Sequence, residues 1–102
     1  MSNDAQAIAE FAAVADASAP HTVLHYVYAP SRKSAGVIAK ELKRRGFRTE
    51  ERLGADGLDW LVLAQHEVVL SNDLMATTRS ALEALADEVD GEYDGWEVDV
   101  RR

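Results

Sequence analysis

The stretch LDWLVLAQHEVVLSNDLMATTRSALEALADEVDG, residues 58–91, carries the strongest secondary-structure signals in the chain. Its first part is the most apolar segment, and it reads as a central strand over 58–70 with an irregular end. Ser71 or Asn72 then offers a helix N-cap, because a short polar side chain satisfies an amide left open in the first turn. Leu74, Thr78, Ala81, Leu82, Leu85 and Val89 recur at helical spacing until Gly91, which reads as the helix stop.

The flanking segments repeat this strand-then-helix pattern. HTVLHYVY, residues 21–28, is rich in β-branched and aromatic residues and apolar on both faces, so it reads as a buried strand. APS turns the chain, with Ser31 or Ser34 available as a cap. Residues 32–45 form a helix with Ala35, Ile38, Ala39 and Leu42 inside and Lys33, Lys40, Lys43 and Arg44 largely outside. KRRG ends it well, since cations suit the negative helix end and Gly46 suits the position after the cap. FRTEERL, 47–53, has the loose charged alternation of an edge strand, and GADG, 54–57, signals a hairpin. In residues 92–100, Trp96, Val98 and Val100 alternate with Glu97 and Asp99, as in a half-buried strand. At the other end, Ile8, Phe11, Ala12 and Ala15 predict a short helix over 4–17, broken by SAP at 18–20.

After that first helix the order is β-α-β-β-α-β. The expected fold is α+β and ferredoxin-like: a four-stranded antiparallel sheet with two helices on one face. In that topology strands one and three are central and two and four are edges, which matches the apolar and charged character of the four candidates. The chain of 102 residues fits a single domain, with the N-terminal helix at 4–17 and the core at 21–100.

Composition narrows the function classes. There is no Cys, so disulfides and thiol chemistry are excluded. The N-terminal MSNDAQAIAEF lacks a basic leader, and Asp4, Glu10 and Asp16 interrupt every apolar run. No apolar stretch approaches the roughly 20 residues that span a bilayer. A cytoplasmic location without membrane contact is the expectation. A net charge of −7 argues against direct binding of nucleic acid, which needs cations to displace phosphate counterions. The charge is also polarised: eight of the 11 basic residues fall between Arg32 and Arg52, and Arg79 is the only one between Leu53 and Val100. Such asymmetry points to a charge-complementary partner, or to self-association through opposite faces.

Catalytic and metal motifs are missing. His21 and His25 would lie about 13 Å apart in a strand, too far to share one ion. His66 and Glu67, adjacent in a strand, point to opposite faces, and surface or edge positions account for the histidines. No G-x-S-x-G elbow, Walker motif, G-x-G-x-x-G or H-E-x-x-H is present. The chain reads as a non-enzyme with neither cofactor nor metal.

The ending GEYDGWEVDV, residues 91–100, packs a Tyr, a Trp and four carboxylates into ten positions. By parity Trp96 joins Val98 and Val100 inside, Asp94-Gly95 supplies a bulge or tight bend, and Tyr93, of opposite parity unless a bulge resets the register, becomes the exposed contact. Glu92, Tyr93, Asp94, Gly95 and Trp96 follow an acidic helix. With Gly46-Phe47 after the basic helix and Asn72-Asp73-Leu74 opening the last one, they resemble the regulator of ribonuclease activity B family, the ribonuclease E inhibitor proteins. The similarity spans roughly Val23 to Val100. It implies a ferredoxin-like domain that binds ribonuclease E or a related nuclease and lowers RNA cleavage, without a cofactor and without catalytic residues. Charge complementarity then makes an acidic surface of the last helix and strand the partner site: Glu88, Glu92, Tyr93, Asp94, Glu97 and Asp99. Two other readings fit the same element order. One is a small-molecule effector domain, which needs a deep apolar pocket between sheet and helices. The other is an RNA-binding module with Tyr26, Tyr28 and Trp60 bare on the central strands.

Overall fold

Two polar caps and two left-handed turns delimit the helices. The structure, a computed structural model, describes Gln6, Ile8 and residues 19–99. The helix expected over 4–17 otherwise lies outside the described residues. Helix α1 spans Arg32–Arg44 and helix α2 spans Asn72–Glu88. Ser31 caps the first, its hydroxyl accepting from the Ser34 amide at 3.1 Å. Ser71 caps the second, accepting from the Leu74 amide at 3.1 Å. Ser71→Ala is expected to lower stability by about 1 kcal/mol, read as a shift in the urea midpoint without a change in slope.

Both helices close in the same way. The Phe47 amide bonds the Leu42 carbonyl at 3.0 Å and the Gly46 amide bonds Lys43 at 3.0 Å. At the end of α2 the Gly91 amide bonds Ala86 at 2.8 Å and the Asp90 amide bonds Asp87 at 3.3 Å. This paired pattern needs a left-handed residue just past the cap. Gly46 takes that role after α1, with φ 97°, as expected. After α2 the role falls to Asp90, with φ 58°, and not to Gly91.

The strands are β1 (His21–Ala29), β2 (Arg48–Leu53), β3 (Trp60–Val68) and β4 (Glu92–Asp99). They form one antiparallel sheet in the order β2-β3-β1-β4, so β1 and β3 are central and the charged strands are edges. This is the ferredoxin-like α+β arrangement. The β2–β3 hairpin is closed by the Gly54 amide on the Asp59 carbonyl at 2.7 Å. Helix α1 packs over β2 and β3, while α2 packs over β4 and β1.

Both helices cover the same side of the sheet. The core there joins Val27, Val62, Ala64 and Ala29 to Ile38, Leu42, Leu82 and Leu85. A second cluster of Val23, Leu70 and Met75 is packed by Ile8, Val68, Trp96 and Val98. The inner stripe of α1 is as the spacing predicts. In α2 the buried residues are Met75, Thr78, Leu82, Leu85 and Ala86. Leu74, Ala81 and Val89 are only half-buried. The helix is rolled toward its Met75 side because Met75 fills the pocket beside Val23 and Leu70. Among the described residues, no helix is long and apolar enough to cross a membrane.

Candidate functional site

The helix end before residues 91–96 and a bulge within them position this stretch. Glu92 opposes Tyr28 and Tyr93 opposes Val27, but Gly95 opposes Tyr26, so Asp94 is an extra residue on β4. Gly95 has φ 114°, which glycine adopts without the Cβ penalty of other residues. The bulge resets parity: Tyr93 and Trp96 both face the helices, although an unbroken strand would place them on opposite sides. Trp96 packs against the Val23, Leu70 and Met75 cluster, the anchoring role that its spacing predicts. The parity argument that makes Tyr93 an exposed contact fails here. Its ring is half-buried against the main core.

What Tyr93 meets is a polar chain centred on a buried histidine. Its hydroxyl lies 2.9 Å from Nδ1 of His25, and Nε2 of His25 lies 2.9 Å from Nε2 of His66. His25 is fully buried on central strand β1, which corrects the reading that surface or edge positions account for the histidines. Its neighbours satisfy both ring nitrogens, and this is how a polar ring is tolerated in a core. Phe47 stacks on His66 with ring centroids 4.6 Å apart, and the guanidinium of Arg79 sits 5.5 Å from the Tyr93 ring centre. The β1–β3 register sets His25 opposite Ala64 and Val23 opposite His66, so the two imidazoles are diagonal neighbours on one face.

Two Nε2 atoms at that separation can share one proton between them but cannot both carry one. Burial pushes the pKa of His66 below its ordinary value of 6.5. The folded state therefore binds that proton less readily than the unfolded chain does. Stability is fully present above about pH 6.5 and declines as pH falls toward the lower folded value. Urea midpoints should fall between pH 7.5 and 5.5 in the wild type, and His66→Gln should flatten that fall.

The carboxylates divide between two layers. Glu92 and Glu97 are exposed on the open side of the sheet, and Asp99 opposes Thr22 on that side, half-buried. Asp94 is exposed at the bulge. The Tyr26 hydroxyl donates to Glu97, and this bond, with burial, raises the Tyr26 pKa. Glu88, in contrast, lies in the last turn of α2 on the helix side. There it borders a concavity of about 590 Å³ floored by Val37, Ile38, Leu85 and Val89 and rimmed by Lys40, Arg44 and Arg45. Arg44 and Arg45 also hold Glu41 at 2.5 and 2.7 Å, lowering its pKa to about 2. The six expected contact residues thus do not form one surface.

Two residues outside that group lie beside Glu92 and Asp94. Asp56 and Asp59, from the β2–β3 turn, line a concavity of about 330 Å³ with Tyr28, Ala55, Glu92 and Asp94. The element order puts the β2–β3 turn and the start of β4 at the same end of the sheet, but it does not say which side chains meet there. Asp56 is fixed there by accepting from the amides of Leu58 at 2.9 Å and Asp59 at 3.3 Å, which lowers its pKa. The aromatic platform of an RNA-binding reading is incomplete. Tyr26 and Tyr28 lie on the open side, but Trp60 faces the helices, with Arg32 5.7 Å from its ring centre. Among the described residues, no group of three His, Cys, Asp or Glu is placed to hold a metal ion.

Fold and site together define a small ferredoxin-like α+β domain with one sheet face under helices and the other bearing the acids of β4 at one edge and Arg48 and Arg52 of β2 at the other. A family model described as Regulator of ribonuclease activity B matches residues 3–98, nearly the whole chain. The chain belongs to that family. No curated protein matches it significantly. The family description names a regulator of a ribonuclease, in keeping with a sequence that carries no catalytic motif.

Proposed function

We propose that the chain is a non-enzymatic regulator that binds ribonuclease E, or a related RNA-processing protein in the cytoplasm, and lowers RNA cleavage through an acidic surface. The observation that carries this reading is the family match over residues 3–98. Charge supports it as well: the carboxylates of β4 and the β2–β3 turn give a −7 chain a local anionic face. Such a face steers a cationic protein surface toward it and repels RNA. No cofactor enters the mechanism, because inhibition here needs only occupancy of a surface that the nuclease uses for RNA.

The test is cleavage of a single-stranded RNA by purified ribonuclease E with and without the chain. Slower cleavage is expected, and added salt should relieve the inhibition, since exposed charge pairs are screened within about 8 Å at physiological ionic strength. Unchanged cleavage at low salt with the chain in excess, together with no detectable complex, would rule the reading out.

A further inference from the structure

The helix side of the sheet is filled, whereas among the described residues nothing covers the other side. Leu24, Tyr26 and Tyr28 of β1 and Leu63 of β3 lie there half-buried, and Leu61 of β3, on the same side, is buried among its neighbours. At one end of this face the Tyr28 ring is bordered by Asp56, Asp59, Glu92 and Asp94. These acids come from separate elements, the hairpin turn and the first residues of β4, so tertiary folding alone brings them together. None of the four is in an ion pair among the described residues; the pairs present are those of Glu41 with Arg44 and Arg45, and of Arg52 with Glu50. The cations of α1 sit in the other layer, across the sheet, while Arg48 and Arg52 of β2 share the open face at its far edge, with Glu50 between them. Leu58, 76% exposed, stands in the same hairpin and adds an apolar contact.

An aromatic and aliphatic centre with a charged rim is the usual anatomy of a protein-docking surface. The sign of this rim selects the partner. A guanidinium can stack on a Tyr face while donating to carboxylates beside it, and a flanking apolar residue can cover Leu58. The hairpin is already rigid, through the bonds that Asp56 accepts and the Gly54–Asp59 closure, so little ordering cost remains on this side.

We propose that the open sheet face around Tyr28 is the docking surface, and that it takes an arginine-rich protein segment with interspersed apolar residues. The inference deepens the function proposed above, for it rests on the reading that the chain acts by binding a protein. It also moves the contact away from α2: Glu88 lies in the helix layer, and a partner on the open face does not reach it.

Two measurements separate this surface from that function. In the first, backbone amide NMR shifts of the full chain are followed during titration with a synthetic peptide alternating Arg and Leu, with a Glu–Leu peptide as control. Shifts are expected around Tyr28, Asp59 and Glu92. Shifts confined to the helix layer, equal shifts with the Glu–Leu peptide, or no shifts at all overturn the surface. In the second, binding to purified ribonuclease E is compared for wild type, the triple variant Asp59→Asn/Glu92→Gln/Asp94→Asn, Tyr28→Ser, and the helix control Asp87→Asn/Glu88→Gln. Urea midpoints confirm that each variant is folded. The triple variant and Tyr28→Ser should each weaken binding by about tenfold or more, and the control should not. Loss in the control alone overturns the surface while leaving the regulator reading intact. Peptide shifts at Tyr28 without any wild-type binding to ribonuclease E do the reverse.

Discussion

Gly91→Ala is expected to cost about 3 kcal/mol or more, a large fraction of the stability of a domain this size. A Cβ at residue 91 would stand 2.2 Å from the carbonyl oxygen of Tyr28, 3.3 Å from its carbonyl carbon and 3.4 Å from the Cα of Ala29. All three atoms are backbone of central strand β1, so no rotamer change relieves the contact. Relief requires the start of β4 to retreat, which breaks the Glu92–Tyr28 pairing and the Gly91–Ala86 bond that closes α2. Asp90→Gly is the informative contrast. Residue 90 holds the left-handed conformation, φ 58°, and glycine tolerates it at least as well as Asp does. That variant should stay within about 1 kcal/mol of wild type. Urea unfolding of the two variants checks the assignment, and a Gly91→Ala midpoint equal to that of wild type would refute the close approach.

His25→Ala is expected to cost about 3–5 kcal/mol. The ring is fully buried, so its removal leaves a cavity among well-packed neighbours. It also takes a hydrogen-bond partner from the Tyr93 hydroxyl and from Nε2 of His66, which adds to the cost of the cavity. Tyr93→Phe removes only the hydroxyl and keeps the ring beneath Arg79, so its cost should be about 1–2 kcal/mol. The two residues are in contact, so the double variant should be less destabilised than the sum of the single changes. Strict additivity in that cycle would show that the contact carries no coupling energy.

Most of the fold was legible because it rests on periodicity. The inner stripe of α1, the serine caps, the hairpin at 54–57 and the central places of β1 and β3 all follow from local spacing and residue type. The roll of α2 toward Met75 did not, because Met75 lies next to Leu74 on the helix and only the shape of the facing pocket chooses between them. Gly91 was legible as a stop, but its reason was not. Local rules assign such a glycine a backbone conformation, whereas here it provides room for another strand.

The candidate site shows the same division more sharply. The identities of Glu92, Tyr93, Asp94 and Trp96 were visible as a motif, and the inward place of Trp96 followed from its alternation with Val98. The bulge at Asp94 was open to suspicion from Asp-Gly, yet the side on which Tyr93 ended depended on it. His25 gave no signal at all. A histidine amid apolar residues looks alike whether it sits at a surface or in a core, and what decides is a partner 41 residues away in sequence.

By itself the sequence determined the element order, the central and edge strands, the acidic balance and the family resemblance, since each is carried by neighbouring residues or by composition. Tertiary structure alone decided the faces and the partners. It turned Tyr93 inward to His25, joined His25 to His66, and gathered Asp56 and Asp59 to Glu92 and Asp94 around Tyr28. It also set Glu88 apart from them, on the opposite layer. The physical reason is common to all of these. Pairing register and a single extra residue in a strand fix which side a side chain occupies, and contacts between distant segments exist only once the sheet has closed.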